Sequence, residues 1–274
     1  MRQDYKKLKT EFDENGFVVL KKLFSSKECK NYRKLMNQHF NLSSYEITQR
    51  DICFKTFLEA DGVTKNKNFW NLIFKKKLLN IVKILIGKEI CYTQHSDLHI
   101  NLGAGKYHRD NAHREFKVGP DWDESLHKYK VVRVAIYLSD YNKSGSSLVV
   151  FPKSNRKMSF VSIFELFFWN FVRLKWSRLF SKNSLPHFFF SKRMKKIKNS
   201  EGDCIIFDQR ILHAGGTVKG IFPKYAIYLS YGAKKNIHTV NHHKFYLSRP
   251  TYLKNISNDL KKRLKKNDIL YKSN

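Results

Sequence analysis

From residue 88 onward the chain is written mostly in short β-type runs, and this constrains its fold more than any other feature. The runs "EICYTQHSDLHINL", "KVVRVAIYL", "SSLVVFP", "DCIIFD" and "KYAIYLSYG" are rich in Val, Ile, Tyr and Phe, with turn residues between them. Ahead of them lie a short strand, "GFVVL", and a helix capped by Ser25 or Ser26 with Cys29, Tyr32, Leu35 and Met36 at helical spacing. Residues 69–86 give a second helical period, closed by Gly87. A basic helix returns near "NDLKKRLKKN". With no internal repeat and no Gly/Ser or Pro linker, the pattern predicts one α+β domain over residues 1–274, mainly β at its core, as a barrel or double sheet. Its parts are a helical support at about 1–87, a β core at about 88–235 and a basic C-terminal extension at about 236–274.

Composition narrows the function classes. Hydrophobic residues make up 42% of the chain, which is a folded protein's share, while the net charge is +30. Such a surplus favours an anionic partner, whether nucleic acid, a membrane surface or an acidic substrate; the plain alternative is a solvated lysine-rich surface. No helix-turn-helix, zinc-finger spacing or RNP-like motif is present, so no specific nucleic-acid binding is expected. Cys29, Cys53, Cys91 and Cys204 form no C-x-x-C pair and read as reduced, buried thiols. The N-terminus has no apolar signal core, and no uncharged run reaches the roughly 18–20 residues of a membrane span. A cytoplasmic protein is expected, peripheral to a membrane if it meets one.

One segment suits such contact. Residues 158–182, "MSFVSIFELFFWNFVRLKWSRLFSK", place Phe160, Ile163, Phe164, Phe167, Phe168, Phe171 and Val172 at helical spacing, followed by Arg173, Lys175 and Arg178. An aromatic face beside cations is what an interfacial helix needs on anionic lipid. Packing on its own domain, or in a dimer, is the alternative reading.

Two His-x-Asp triplets raise the question of a metal. On a strand, side chains two apart point the same way, so His108 and Asp110 could grip one ion from one side. His213, in "EGDCIIFDQRILHAGG", is a candidate third ligand from a different strand. Two histidines and one carboxylate on one face leave three adjacent positions open, as in non-haem iron(II) oxygenases. Eleven residues on, Lys224 opens "KYAIYLSYG" and shares a face with Ala226, Tyr228 and Ser230, where a cation could hold the distal carboxylate of 2-oxoglutarate. Arg133 is a rival anchor if its side of "VVRVAIYL" points inward. The other triplet, His95-Ser96-Asp97, falls on a strand whose polar face (His95, Asp97, His99, Asn101) either lines a cavity or meets solvent. His238, His242 and His243 lie in a polar stretch and are expected at the surface.

Taken in order, "FDENGFVVLKKLFSSKEC", "YHRD", "VVRVAIYLSDYNKSGSSLVVFPKSNRK" and "EGDCIIFDQRILHAGG" resemble the phytanoyl-CoA dioxygenase family of Fe(II)/2-oxoglutarate oxygenases, over most of the chain. The resemblance implies a double-stranded β-helix (jelly-roll, cupin-like) core with flanking N-terminal helices and a basic aromatic helical insert at about 158–200. It implies iron(II) on His108, Asp110 and His213, with 2-oxoglutarate and O2 as cosubstrates. Two departures matter. The family usually carries Arg where this chain has Lys224, and a lysine is a point charge without a bidentate fork. Gly215 stands where the family often has Ser, and Thr217 is the candidate replacement. Asp110 is retained, which favours hydroxylation over halogenation. The expected reaction is hydroxylation of an unactivated C–H in a small organic substrate, anionic or lipid- or carrier-linked. The alternatives are a catalytically silent jelly roll that binds an anionic ligand or membrane surface, and a nucleic-acid binder resting on charge alone.

Overall fold

The computed structural model describes residues 5–42, 55–101, 106–179, 194–216, 218 and 222–271. Cys53 and Thr217 lie outside the described residues. Among the described residues, ten strands form two antiparallel sheets: β1 Phe17–Leu20, β2 Phe57–Ala60, β3 Ile90–Tyr92, β4 Asp97–Ile100, β5 Val131–Tyr137, β6 Ser147–Val150, β7 Lys195–Lys198, β8 Cys204–Asp208, β9 His213–Gly215 and β10 Tyr225–Ala233. The larger sheet runs β1-β8-β5-β10-β4-β2, with β3 also on β10; the smaller runs β7-β6-β9. This is the jelly-roll arrangement, and β7 belongs to it. Lys195–Lys198 therefore leave the helical insert expected to reach 200 and pair with β6.

Strand β5 explains how the layers stack. All seven of its residues are buried, and alternation sends them to two different cores. Val132, Val134 and Ile136 join the core between the large sheet and the helices, with Leu78, Ile81, Val82 and Leu85. Ala135 and Tyr137 face the other way, toward Leu148 and Val150 of the smaller sheet and Phe207. Each fully buried Val, Leu or Ile stabilises by about 1.5–3 kcal/mol, so the helical side carries most of the cohesion. The inner side is free to hold polar residues.

The longer helices among the described residues are α1 Tyr5–Asn15, α2 Ser26–His39, α3 Lys76–Ile86, α4 Phe160–Leu179, α5 Ile237–Ser248 and α6 Asn258–Lys266. Ser25 caps α2 through a reciprocal capping box with Glu28, and Cys29 and Met36 are fully buried as their spacing requires. The helix α1 was not anticipated from the sequence. The period over 69–86 is broken: a turn at Trp70–Ile73 ends at Phe74, and α3 starts after Lys75. That break lets Lys75 reach Glu28 (2.5 Å) and lie over the Phe24 ring. Gly202 makes the turn into β8; its φ is +85°, and a Cβ there would sit 2.1 Å from the Phe24 carbonyl oxygen. Asp203 then fixes the strand entrance, accepting from Lys22 N (3.0 Å) and Ser200 N (2.8 Å). Among the described residues, no helix is long and apolar enough to cross a membrane. Cys29, Cys91 and Cys204 are buried free thiols.

Asp61 is a buried acid whose carboxyl accepts from Ser96 Oγ (3.2 Å) and Leu253 N (3.0 Å). Burial pushes it up to about 7; nearby Asp97 adds to the rise, while its hydrogen bonds oppose it. The folded state therefore holds a proton that the unfolded chain releases near pH 4. Stability should fall as pH rises between those values, by up to about 1.4 kcal/mol per pH unit. Asp61→Asn, which keeps the acceptor and tolerates the left-handed backbone here (φ 57°), should flatten that slope. Urea unfolding at pH 5 and 8 checks this, and equal pH slopes in the two proteins would disprove it.

Candidate metal centre

His108 and His213 face each other in an isolated antiparallel bridge, each backbone N–H donating to the other's carbonyl at 2.9 Å. Two residues on, Asp110 N donates to Gln209 O at 2.8 Å, so the His-x-Asp arm is stitched to the 209–213 arm at both ends. The ligating atoms of His108, Asp110 and His213 all lie within 4.8 Å of one another. Among the described residues, no other group of three meets that condition. His108 Nε2 is 3.6 Å from Asp110 Oδ1, and His213 Nε2 is 3.6 Å from Asp110 Oδ2.

The hydrogen bonds also fix which ring nitrogen is left for a metal. His108 Nδ1 meets Lys106 O at 2.9 Å, and His213 Nδ1 meets Ile211 O at 3.0 Å. A carbonyl can only accept, so both Nδ1 atoms donate, leaving both Nε2 atoms, on the Asp110 side, as the ligand atoms. Backbone carbonyls behind ligating imidazoles are the usual second partners that orient such rings. Burial holds His213 near 4, with the neighbouring His108 adding to the drop. Burial works against the Asp110 carboxylate, yet His213, Arg133 and His108 hold it well below the usual range. Two imidazoles and one carboxylate, converging from one side, suit a hard-to-borderline divalent ion such as iron(II). The His108 side chain is 40% exposed while the other two are buried, so the centre opens on the His108 side.

Arg133 is fully inside. It donates to His95 O, pairs with Asp97 through one terminal nitrogen, and sets Nε 3.5 Å from Asp110 Oδ2. Its charge already meets two carboxylates, Asp97 and Asp110. The polar face of "QHSDLHIN" lines the interior. His95, Asp97 and Asn101 are buried, His99 is half-buried, and Leu98 and Ile100 turn to the helical core. His95 stacks on Tyr246 at 3.5 Å between centroids, and Tyr252 donates to Asp97 at 3.0 Å. The second His-x-Asp pair is thus tied up in structure.

Lys224 lies immediately before β10 and is buried, its N–H on Asn101 Oδ1 (2.9 Å) and its carbonyl accepting from Asn101 N (2.8 Å). It has the parity of Ala226 and Tyr228, which pack on the inner core. Its charge reaches His99, where, behind burial and Arg133, it helps hold the imidazole near 4. Burial alone pushes Lys224 down to about 8. Arg109 is buried on the carbonyl of Arg210, so it is structural, whereas Arg114 is exposed.

The histidines expected at the surface are not there. His238, His242 and His243 are buried on α5. His238, His242 and Tyr246 recur every fourth residue and form the stripe that packs toward the site; that spacing was legible in "HTVNHHKFY". Tyr246 donates to Asp110 O at 2.9 Å, and both ring nitrogens of His242 are buried without a hydrogen-bond partner.

The family model described as phytanoyl-CoA dioxygenase (PhyH) matches residues 12–224. No curated protein matches the sequence. Among solved structures, HygX from Streptomyces hygroscopicus with nickel and 2-oxoglutarate bound aligns with TM-score 0.58 at 14% identity, covering 84% of this chain and 87% of that one. EctD from S. alaskensis with 2-oxoglutarate and 5-hydroxyectoine aligns with TM-score 0.55 at 18% identity, covering 84% and 76%. SnoK, a non-heme alpha ketoglutarate dependent carbocyclase from nogalamycin biosynthesis, aligns with TM-score 0.56 at 12% identity, covering 83% of each. At these identities the three likenesses speak for the fold.

Proposed function

Because this chain belongs to the phytanoyl-CoA dioxygenase family, and so to the 2-oxoglutarate-dependent dioxygenases, we propose that it hydroxylates an unactivated C–H of a small organic substrate, with iron(II) on His108, Asp110 and His213. The observation that carries this reading is the convergence of three ligand atoms within 4.8 Å, with both imidazoles held by carbonyls through Nδ1 so that Nε2 is left to hold an ion. When bound, iron supplies the oxidation chemistry that couples O2 and 2-oxoglutarate to a hydroxylated product, succinate and CO2.

The chain's own residues do the holding. Asp110 is kept ionised and aligned by Arg133 and by its backbone bond to Gln209, while Tyr246 secures its carbonyl. Lys224 is the anchor for the distal carboxylate of 2-oxoglutarate, supported by its burial on the inner face beside His99. The buried inner wall of Ala135, Tyr137, Phe207 and Ala226 keeps water from the reacting centre. The finer reading of the substrate is anionic, in line with the +30 charge. Peripheral contact with an anionic membrane through residues 158–182, from the cytoplasmic side, completes it.

The test is iron-dependent conversion of 2-oxoglutarate to succinate, run with cell extract as substrate source and read by mass spectrometry for a compound one oxygen atom heavier. Both products are expected, and both should vanish without iron. A protein that binds iron and 2-oxoglutarate but forms neither would support the silent jelly roll instead.

A further inference from the structure

Among the described residues, most of the exposed large hydrophobic side chains lie on helix α4. Phe160, Phe164, Phe167 and Phe171, spaced four, three and four apart, run along one side of it. Phe160, Phe164 and Phe167 are 83, 68 and 76% exposed, and Phe168 and Ile163 flank them, also exposed. A monomeric protein rarely leaves such a continuous stripe in water. The helix is held to the domain by other residues. Trp169 packs on the cluster of Tyr107, Val149, Phe151, Leu212 and Ala214, and Asn170 Oδ1 accepts from Tyr107 N at 3.0 Å.

Those anchoring points are informative. Tyr107 precedes His108, and Leu212 and Ala214 flank His213. Helix α4 thus lies over the outer face of the two strand segments that carry the candidate ligands, one β layer from the metal centre. The charge around it is of one sign. Lys175 is exposed on the helix, Lys153, Arg156 and Lys157 are exposed just before it, and Glu165 is its only acid. Exposed phenylalanines with neighbouring cations match an anionic headgroup layer: rings enter at the acyl boundary and ammonium groups meet phosphates.

We infer that α4 is the face by which this protein lies on an anionic membrane, and that its substrate is a lipid or similar amphiphile taken from that leaflet. The second half rests on the hydroxylation proposed above. The docked helix holds the metal centre one helix and one β layer from the membrane surface, where a chain of low solubility is concentrated.

Full-length protein should sediment with phosphatidylserine-containing vesicles and at least about tenfold less with phosphatidylcholine alone. Phe164→Glu/Phe167→Glu, both outside the metal centre, should lose vesicle binding by at least about tenfold while keeping its circular dichroism and its binding of iron and 2-oxoglutarate. Vesicles of extracted cell lipids, incubated with iron, ascorbate and 2-oxoglutarate, should yield a lipid one oxygen atom heavier, absent with His213→Ala. Failure of the wild type to sediment, or sedimentation of the double variant as wild type, overturns the docking. So does self-association that the double variant abolishes while vesicles go unbound. Equal turnover of a soluble substrate by both proteins, without vesicles, overturns the lipid substrate. Loss of iron-dependent 2-oxoglutarate binding with vesicle binding intact overturns the hydroxylation and leaves the docking standing.

Discussion

Asp110→Ala is expected to lower iron-dependent succinate formation at least about a thousandfold, equivalent to roughly 4 kcal/mol of barrier. Asp110 is the one anionic ligand of the candidate centre, and both Nε2 atoms converge on its two oxygens. Its removal leaves two imidazoles, which hold a divalent ion poorly when one of them is part-exposed. The variant also leaves Arg133 Nε, already without a hydrogen-bond partner, beside a cavity. Some loss of stability should accompany it, since a buried charge whose partner is removed costs about 3–5 kcal/mol and Asp97 compensates only in part. Asp110→Asn separates the effects because it fills the space without the charge. Both variants should have little bound iron by elemental analysis, and Asp110→Asn should unfold closer to wild type. Near wild-type iron content and turnover in Asp110→Asn would sink the assignment of this triad.

The second large effect concerns Lys224. Lys224→Ala should raise the KM for 2-oxoglutarate about a hundredfold, since truncating one partner of a buried charge pair costs about 2–5 kcal/mol. The pH dependence is the sharper test. Burial brings this lysine down to about 8, so raising the pH through that value removes the charge from the free enzyme. The kcat/KM for 2-oxoglutarate should fall on the alkaline side accordingly. Lys224→Arg keeps its charge at all accessible pH and should lack that limb, whatever it does to the maximum rate. Stability moves the opposite way. The unfolded chain holds the proton up to about pH 10.4 while the folded one releases it near 8, so stability rises with pH between them. Below pH 8 the buried ammonium therefore costs up to about 3 kcal/mol, and Lys224→Met should be more stable than wild type at neutral pH while failing to bind 2-oxoglutarate. An unchanged KM in Lys224→Ala would move the anchor elsewhere.

The strands that build the core were legible because period-two alternation and turn residues mark them directly, and β5 showed its two-sided burial as an unbroken apolar run around Arg133. What the alternation could not supply was partners. Nothing in "VVRVAIYL" says that Arg133 meets Asp97, 36 positions earlier, because that contact exists only once β4 and β5 flank β10. The sequence offered Arg133 as a carboxylate anchor for a cosubstrate, and the fold gives it two carboxylates of its own. The burial of His238, His242 and His243, against the surface expected of so polar a stretch, has a different cause. On α5 they face the polar inner end of the barrel, where His238 meets Asp121 and His243 meets the Thr93 carbonyl. The break before α3 was invisible because "FWNLIFKKKLLNIVKILI" keeps its helical period straight through it.

The bridge between His108 and His213 has a consequence for how the protein is supplied with metal. Two reciprocal backbone hydrogen bonds hold these arms in register through main-chain groups that are not the candidate ligands, and the carbonyls behind each ring set its aim. The frame of the site is thus main chain, independent of the side chains that would hold the metal. Iron is then exchangeable goods: a chelator should strip it from a molecule that stays folded, with Tm lowered only by the lost binding energy, and fresh iron should restore function without refolding.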